Sequence, residues 1–403
     1  MHSHSVFIIL AGLLLAFGLA SKLSHRTLVS GPMVFVAAGA LFGSLGLDVL
    51  ELNITSEELK FVAEITLILI LFVDASIIRF KTLGSVLGGI PSRLLGIGLP
   101  LSMVLGTLVA VWMFPNSSIW LLMLVALMLS PTDAALGQAV VNNEHVPQKI
   151  REGISVESGL NDGIALPPIL LCMAVLSYGN SAIGHDGYWY GFLAMQLTIG
   201  PLVGAAVGII GAKCIDWATH RNWMNATFHQ ISAIALSILA YSLAEAFSGN
   251  GFIAAFFAGL LFGSKHMGSK IPKVLTRSSE FGEAFGELLS LIVFFVFGAV
   301  ALPHFLPFWD IKTIIYALLS LTLIRFIPVY ISLIGTGIKP YTKCFIAWFG
   351  PRGIASVLYL LMVITELGLE QYDQALSIVV LTILISVFAH GVSAVPMSKR
   401  FAK

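Results

Sequence analysis

Apolar stretches of about 20 residues recur along this chain and limit the folds that it can adopt. A helix of that length crosses a hydrocarbon core of about 30 Å. These stretches follow one another along the 403 residues without a polar domain between them. Apolar residues make up 57% of the chain and charged residues 11%, whereas soluble domains are roughly 25% charged. The sequence therefore predicts one all-α membrane domain over residues 1–403, with the lipid bilayer as its surroundings.

The hydropathy pattern predicts about thirteen transmembrane helices. Their expected bounds are 5–21, 28–46, 59–78, 84–113, 119–141, 150–177, 188–214, 229–247, 250–264, 280–302, 312–335, 342–363 and 374–396. The widely spaced cysteines indicate neither a disulfide framework nor a zinc site, and no cofactor is expected. No basic patch with interleaved aromatic residues indicates a nucleic-acid partner.

Basic residues concentrate on alternate connections, which the positive-inside rule assigns to the cytoplasm. These connections and the C-terminal tail hold Lys22, Arg26, Arg79, Lys81, Arg93, Lys149, Arg151, Lys213, Arg221, Lys265, Lys270, Lys273, Arg277, Lys339, Lys343, Lys399, Arg400 and Lys403. The opposite connections hold Lys60 and Lys312. We therefore expect a multi-pass protein of the plasma (inner) membrane with a cytoplasmic C-terminus. The first apolar run has no preceding Lys or Arg, so we expect a retained helix with its N-terminus outside.

Charged residues near the middle of the predicted spans are the candidates for function, because each costs about 2.5–3.5 kcal/mol there on insertion scales. Asp133 and Asp162 lie near the middle of the fifth and sixth spans, and Asp74 lies in the cytoplasmic half of the third. The sixth span gathers Glu157, Ser158, Asn161 and Asp162 on one helical stripe. Such an oxygen-rich stripe favours a hard cation.

Two prolines interrupt predicted spans beside these charges. Pro131 and Pro351 each remove a backbone donor and clash with the preceding helical turn, so both spans are expected to break. Unwound backbone is tolerated at membrane depth only where it is buried in protein or lines a cavity. Because the two segments enter from opposite sides of the membrane in corresponding halves of the chain, they predict an inverted repeat with a cation site at the breaks.

Structural roles compete with functional ones at several of these positions. Asp133 could cap a half-helix, in place of or in addition to binding an ion. Glu157 and Arg352 favour a buried ion pair that joins two helices. Asp162 has no basic residue within one helical turn, which favours a functional carboxylate.

Two motifs together resemble the sodium/proton antiporters of the first monovalent cation:proton antiporter family, the NhaP type. Ser130-Pro131-Thr132-Asp133 resembles the Thr-Asp break of that family, and residues 157–163 resemble its Glu-Ser-x-x-Asn-Asp signature. Weaker similarities follow in family order at residues 248–263, 286–298 and 350–356 and at His390-Gly391.

The resemblance implies a secondary active transporter that exchanges Na⁺, or Li⁺ or K⁺, for H⁺ by alternating access. It also implies two crossing broken helices and a homodimer in which a mobile core moves past a fixed interface domain. The core helices would lie at about 84–177 and 312–396, and the interface helices at about 5–78 and 188–302.

The family motif also assigns roles to individual residues. Asp162 is expected to bind either the cation or the proton. The remaining cation ligands would be the Thr132 carbonyl, Asp133, Ser158 and Asp74. Glu157, Asn161 and Arg352 would support them, with Arg325, Pro131 and Pro351 as structural residues. Asp74 stands where Glu is more usual in relatives whose third helix supplies a ligand.

Competition for one carboxylate is the mechanism that this arrangement predicts, because burial favours the protonated form and a bound cation favours the ionised form. Asn161 in place of a second Asp removes one titrating group, which predicts electroneutral one-for-one exchange. Three alternatives remain open at the level of sequence: a sodium-coupled organic-anion symporter, an intramembrane aspartyl protease and a channel.

Overall fold

The computed structural model describes residues 2–24, 28–50, 54, 56–76, 89–133, 136, 140, 143, 145–178, 188–266, 272–369 and 371–402. These residues form helices and connecting turns, with no strand among them. Seven continuous helical stretches of the described residues are long and apolar enough to cross a membrane, and shorter apolar helices accompany them. The predicted all-α membrane fold is confirmed.

The helices are numbered here in chain order. The first part of the chain forms α1 (His2–Ser24), α2 (Gly31–Phe42), α3 (Glu57–Ser76), α4 (Ile90–Met113), α5 (Ile119–Met128), α6 (Gln148–Tyr178), α7 (Tyr188–His220) and α8 (Ala226–Ala246). The second part forms α9 (Gly251–His266), α10 (Pro272–Val296), α11 (Leu302–Phe305), α12 (Ile311–Leu321), α13 (Leu323–Ser332), α14 (Pro340–Trp348), α15 (Ile354–Leu367) and α16 (Asp373–Ser398). Two stretches are π-helical: Leu94–Gly98 within α4, and Phe297–Ala301 between α10 and α11.

Both predicted helix breaks are present. The span predicted at 119–141 is helical as α5 and leaves the helix before Pro131, while most of residues 134–142 lie outside the described residues. The span predicted at 342–363 consists of α14 and α15, separated by residues 349–353. These two unwound stretches, residues 129–133 and 349–353, are called the first break and the second break below.

A third interruption was not predicted. The span expected at 312–335 divides into α12 and α13 at Thr322, which has φ −114° and ψ −97°. No proline causes this bend. The Thr322 hydroxyl instead donates to the Leu318 carbonyl at 2.6 Å, a contact that competes with the helical hydrogen bonds and bends helices.

One compact unit comprises Met1–Ala63, Gly89–Asn161 and Ser290–Lys403. It contains both breaks and a core of buried residues from α4, α6, α13, α14 and α16, including Leu94, Val329 and Phe345. Within this unit, α2 lies directly against the π-helical stretch after α10, where a side chain on Gly298 would meet the Val36 carbonyl. Small residues permit this close approach of helices in a membrane.

The other compact unit comprises Glu64–Gly88 and Asp162–Leu289. Its core is built from α3, α7, α8 and α9 around Phe72 and Phe262, whose ring centroids are 5.6 Å apart. Glycines on α9 bring its backbone against α3, because side chains on Gly259 and Gly263 would meet the Phe72 and Ser76 carbonyls. This packing fixes the part of α3 that carries Asp74.

The predicted orientation stays a prediction. Several of the basic residues on which it rests, among them Arg79, Lys81 and Lys270, lie outside the described residues. The division into a mobile core and an interface domain also stays a prediction, because nothing in the two compact units tests it.

Candidate ion-binding site

The first break is a short buried stretch that follows α5. Pro131 has no backbone N–H and disfavours helical conformation in the residue before it, so the helix ends ahead of it. The Met128 carbonyl, left without a helical partner, accepts from the Ser356 hydroxyl at 2.7 Å. Ser130, Thr132 and Asp133 are all buried. The unwinding therefore exposes backbone oxygens inside the protein rather than to lipid.

The Thr132 carbonyl is the oxygen of this break that α6 reaches. Ser158 Oγ donates to it at 2.6 Å and Asn161 Nδ2 lies 3.2 Å from it. Asn161 Nδ2 also donates to Thr132 Oγ1 at 2.7 Å. The structure thus brings together Thr132, Ser158 and Asn161, as the sequence predicts.

Asn161 presents an oxygen that the protein does not use. Its side chain is fully buried, and its Oδ1 has no hydrogen-bond partner within the described part of the chain. A buried acceptor without a donor costs about 1–3 kcal/mol, a cost that a bound cation would remove because hard cations bind amide and carbonyl oxygens. The donor set at the first break therefore fits a cation.

Asp162 is the next residue of α6 after Asn161. It lies four positions after Ser158, which is one helical turn, and only 6% of its surface is exposed. The glycine that follows allows a close approach within the second compact unit, because a side chain on Gly163 would meet the Phe256 ring. The structure thus places a buried carboxylate directly after the Ser158 and Asn161 stripe, and its role as the exchanging ligand stays a prediction.

Asp133 joins the first break to the second. Its backbone N–H donates to the Pro351 carbonyl at 2.8 Å, and its Oδ2 accepts from the Ile354 N–H at 2.8 Å. Ile354 is the first residue of α15, where the backbone N–H groups lack helical partners and the helix dipole is positive. The predicted alternative that Asp133 caps a half-helix is confirmed for α15, and a direct contact with the ion stays a prediction.

Two glycines let the breaks cross. A side chain on Gly353 would overlap the Asp133 carboxylate, and one on Gly350 would come within 2.7 Å of Arg325 Nε and 2.9 Å of Thr132 Cγ2. The backbone of the second break therefore lies against the first break and against a buried guanidinium.

Arg352 donates hydrogen bonds to backbone carbonyls that lose their helical partners at the first break. One of its terminal nitrogens donates to the Ser130 carbonyl at 2.6 Å and to the Pro131 carbonyl at 3.1 Å. The expected ion pair between Arg352 and Glu157 is wrong, because Glu157 Oε1 instead lies 2.6 Å from a terminal nitrogen of Arg325. Both side chains of that pair are 2% exposed, and the interpretation of Arg325 as structural agrees with this contact.

Asp74 lies near the C-terminal end of α3 and is half-buried. It belongs to the same compact unit as Asp162, and its predicted role as a ligand remains untested.

Five charged side chains are buried among the described residues: Asp133, Glu157, Asp162, Arg325 and Arg352. Charged groups at membrane depth are costly and mark candidate functional positions.

Ser386 and His390 on α16 are the site residues that sequence reasoning missed. They contact the backbone of Arg352 in the second break and of Trp348 just before it, whereas the sequence analysis named His390 only within a weak family similarity. The available signal was a serine and a histidine four residues apart, a spacing that places both on one face of the helix.

Comparison with known proteins identifies the family and the fold. The sequence model of the family described as "Sodium/hydrogen exchanger, transmembrane" matches residues 10–400. The chain belongs to the sodium/hydrogen exchanger family. The fold is similar to that of the sodium proton antiporter MjNhaP1 from Methanocaldococcus jannaschii, with a TM-score of 0.75, 18% identity, and coverage of 97% of this chain and 98% of the other.

Three curated relatives of the chain are named as cation/proton antiporters. The chain is 28% identical to Na(+)/H(+) antiporter NhaH from Halobacillus dabanensis over 68% of this chain and 67% of that protein. It is 22% identical to K(+)/H(+) antiporter NhaP2 from Shewanella baltica over 71% of this chain and 48% of that protein. A probable Na(+)/H(+) antiporter from Schizosaccharomyces pombe is 24% identical over 60% of this chain. The chain spans only 33% of the length of this fungal relative. The predicted resemblance to NhaP-type antiporters is confirmed.

Proposed function

We propose that the protein exchanges one monovalent cation for one proton across the membrane by alternating access. Na⁺ is the first candidate for the cation, with Li⁺ and K⁺ as further candidates. The observation that carries the proposal is the unused Asn161 Oδ1 beside the freed Thr132 carbonyl, directly before the buried Asp162 on α6. Oxygen ligands and one carboxylate form the donor set that a small hard cation prefers.

Asp162 is the group for which the two ions compete. A carboxylate held away from water binds a proton more tightly, and a nearby cation favours its ionised form. Asp162 therefore carries either the proton or the cation in each passage. The Thr132 carbonyl, Ser158, Asp133 and Asp74 supply the other ligands in this proposal, and Asn161 supports them with the oxygen that the protein leaves unused.

The residue beside Asp162 supports one-for-one exchange. Asn161 stands in place of a second titrating group there, so a bound Na⁺ and a bound H⁺ each add one positive charge at the same carboxylate. A transport cycle between these two forms moves no net charge.

The setting proposed for this exchange follows the sequence. The N-terminus lies outside and the C-terminus in the cytoplasm of a plasma (inner) membrane, as the distribution of basic residues indicates. We expect a homodimer in which the core helices move past the interface helices. Ions and lipid are the remaining partners.

Vesicles reconstituted with the purified protein test this proposal. An imposed Na⁺ gradient should drive proton movement that is unaffected when valinomycin and K⁺ clamp the membrane potential. The Asp162→Asn variant should show no exchange. Asp48→Asn is the matched control, because Asp48 is exposed and has φ 51°, a conformation that Asn adopts readily.

Several results would contradict the proposal. Full activity of Asp162→Asn would remove the assigned ligand, and a response to the clamped potential would contradict electroneutral exchange. Organic-anion uptake, peptide cleavage or single-channel currents in place of exchange would support the symporter, protease or channel alternatives.

A further inference from the structure

Helix α16 contacts both ends of the second break through two buried side chains. Ser386 Oγ accepts from the Arg352 backbone N–H at 2.6 Å, and His390 Nε2 lies 2.8 Å from the Trp348 carbonyl. Trp348 is the last residue of α14, and Arg352 precedes α15 by two residues. Ser386 is fully buried and His390 is 1% exposed.

The acceptors around the His390 ring decide its tautomer. Because the Trp348 carbonyl can only accept, Nε2 carries the hydrogen. Nδ1 of the neutral ring then accepts from the Ser386 hydroxyl, 3.1 Å away. A second proton on Nδ1 could donate to the Ser386 carbonyl at 2.9 Å. It would, however, place a positive charge on a ring that is 1% exposed, and a charge held away from water is costly.

The neutral ring therefore completes a continuous chain of hydrogen bonds. The Arg352 N–H donates to Ser386 Oγ, the Ser386 hydroxyl donates to His390 Nδ1, and His390 Nε2–H donates to the Trp348 carbonyl. This chain spans the second break, where the Phe349 N–H still donates to the Phe345 carbonyl and the Gly350 N–H donates to the Trp348 carbonyl. It fixes where the second break begins and where it ends.

The backbone position of Arg352 matters for the first break. The Arg352 side chain donates to the Ser130 and Pro131 carbonyls, and the neighbouring Pro351 carbonyl accepts from the Asp133 N–H. A shift of the second break would therefore move groups that hold the residues on both sides of the Thr132 carbonyl.

The arrangement on α16 parallels that on α6. The first break is held by Ser158 and Asn161, three positions apart on α6, and the second break is held by Ser386 and His390, four positions apart on α16. The difference lies in the residues that follow. Asp162 follows Asn161, whereas Gly391 follows His390, so the pair on α16 can hold backbone and lacks the carboxylate of an ion site.

We propose that Ser386 and His390 are positioning residues for cation binding. Together they form a latch on the second break that keeps the Thr132 carbonyl in place through Arg352 and Asp133. This inference rests on the proposed exchange function, because cation affinity is the property that the latch controls.

Four variants of the full-length protein separate the latch from general stability. His390→Leu removes both ring contacts, Ser386→Ala removes the hydroxyl, and His390→Gln retains a donor that can reach the Trp348 carbonyl. Thr382→Val is the matched control. Thr382 is equally buried on α16, and its hydroxyl donates to the Ile378 carbonyl of its own helix at 2.7 Å.

Two readouts apply to every variant: hydrogen–deuterium exchange of the peptide that covers residues 349–353, and the apparent KM for Na⁺ in vesicles. His390→Leu and Ser386→Ala should take up deuterium faster in this peptide and should raise KM by about tenfold, the factor for loss of about 1.4 kcal/mol. His390→Gln should recover much of the wild-type KM, and Thr382→Val should leave both readouts unchanged.

The outcomes distinguish the latch from the exchange proposal. A wild-type protein that exchanges Na⁺ while His390→Leu and Ser386→Ala retain the wild-type KM contradicts the latch alone. Faster deuterium uptake without a change in KM makes the two residues structural and also contradicts the positioning role. A wild-type protein that exchanges no monovalent cation contradicts the exchange proposal, and an unchanged uptake rate in His390→Leu contradicts the latch independently of transport.

Discussion

The carboxylate of Asp133 caps a helix that begins 221 positions later in the chain, because its Oδ2 accepts the Ile354 N–H at 2.8 Å. The Asp133 backbone N–H meanwhile donates to the Pro351 carbonyl. One residue of the first break thus satisfies one backbone group of the second break and one at the start of α15. The two breaks are therefore coupled in structure, and a change in either one should be felt at the other.

Removing the charge of Asp133 while keeping its shape should separate capping from ion binding. Asp133→Asn retains an oxygen that can accept from Ile354, so we expect the free energy of unfolding to change by no more than about 1 kcal/mol. If Asp133 is also a ligand, the apparent KM for Na⁺ should rise. Thermal unfolding and vesicle transport measure the two effects, and an unchanged KM would leave Asp133 as a cap only.

The crossing of the breaks should not tolerate a side chain at Gly353. Gly353→Ala would place a methyl group on the Asp133 carboxylate, so we expect destabilisation of roughly 1–3 kcal/mol or more together with loss of exchange. Gly96→Ala is the control, since nothing lies within 4 Å of a side chain there. Wild-type stability and exchange of Gly353→Ala would contradict the described crossing.

Breaking the buried pair of Arg325 and Glu157 should cost far more than breaking an exposed one. Arg325→Met leaves the Glu157 carboxylate buried without its partner, which costs about 3–5 kcal/mol, and the double variant with Glu157→Gln should recover most of that loss. Lys60→Met is the control. The pair of Lys60 with Glu366 is exposed and 3.5 Å long, and such pairs contribute about 0–1 kcal/mol.

These differences are read from thermal unfolding in detergent. A double variant as unstable as Arg325→Met would show that the guanidinium acts through contacts other than Glu157.

The capping residue of α12 should give a pH-dependent contribution to stability. Asp310 lies in the turn before α12, and its Oδ1 accepts from Thr313 N at 2.7 Å and from Thr313 Oγ1 at 2.8 Å. Burial acts to raise the pKa of this carboxyl, but the hydrogen bonds from Thr313 and the nearby Lys312 outweigh it and lower the pKa. The stabilisation is therefore complete above the ordinary carboxyl pKa of about 3.9 and is lost as the pH falls through the lowered value.

Asp310→Ala should accordingly destabilise the protein by about 1 kcal/mol at neutral pH. The difference from the wild type should shrink below a pH of about 3.9. Unfolding midpoints measured across pH test this, with Asp310→Asn as the control that retains an acceptor without a titrating group. A difference between wild type and Asp310→Ala that persists unchanged in acid would contradict the assignment.

The sequence predicted the membrane helices and both breaks because each rests on a local cause. Apolar stretches of sufficient length specify the spans, and Pro131 and Pro351 remove backbone donors whatever surrounds them. The stripe of Ser158 and Asn161 was likewise predictable, since helical spacing alone places both on one face.

The partners of the buried arginines were not predictable from local pattern. Arg325 and Glu157 are far apart in sequence, and their contact is made by the packing of two helices. The first break frees the carbonyls that Arg352 satisfies, and Arg352 reaches them because the breaks cross. Sequence spacing identifies which charges need partners, whereas tertiary packing decides which partner each one finds.

The number of protons released when one cation binds tests whether the two ions compete for Asp162. Titration calorimetry of the purified protein with Na⁺, in buffers of different ionisation enthalpy, gives this number at each pH. Competition at one carboxylate predicts that proton release rises towards one per bound Na⁺ as the pH is lowered, with neither binding nor release in Asp162→Asn. Binding of Na⁺ without proton release at any pH, or unchanged release from Asp162→Asn, would contradict exchange at Asp162.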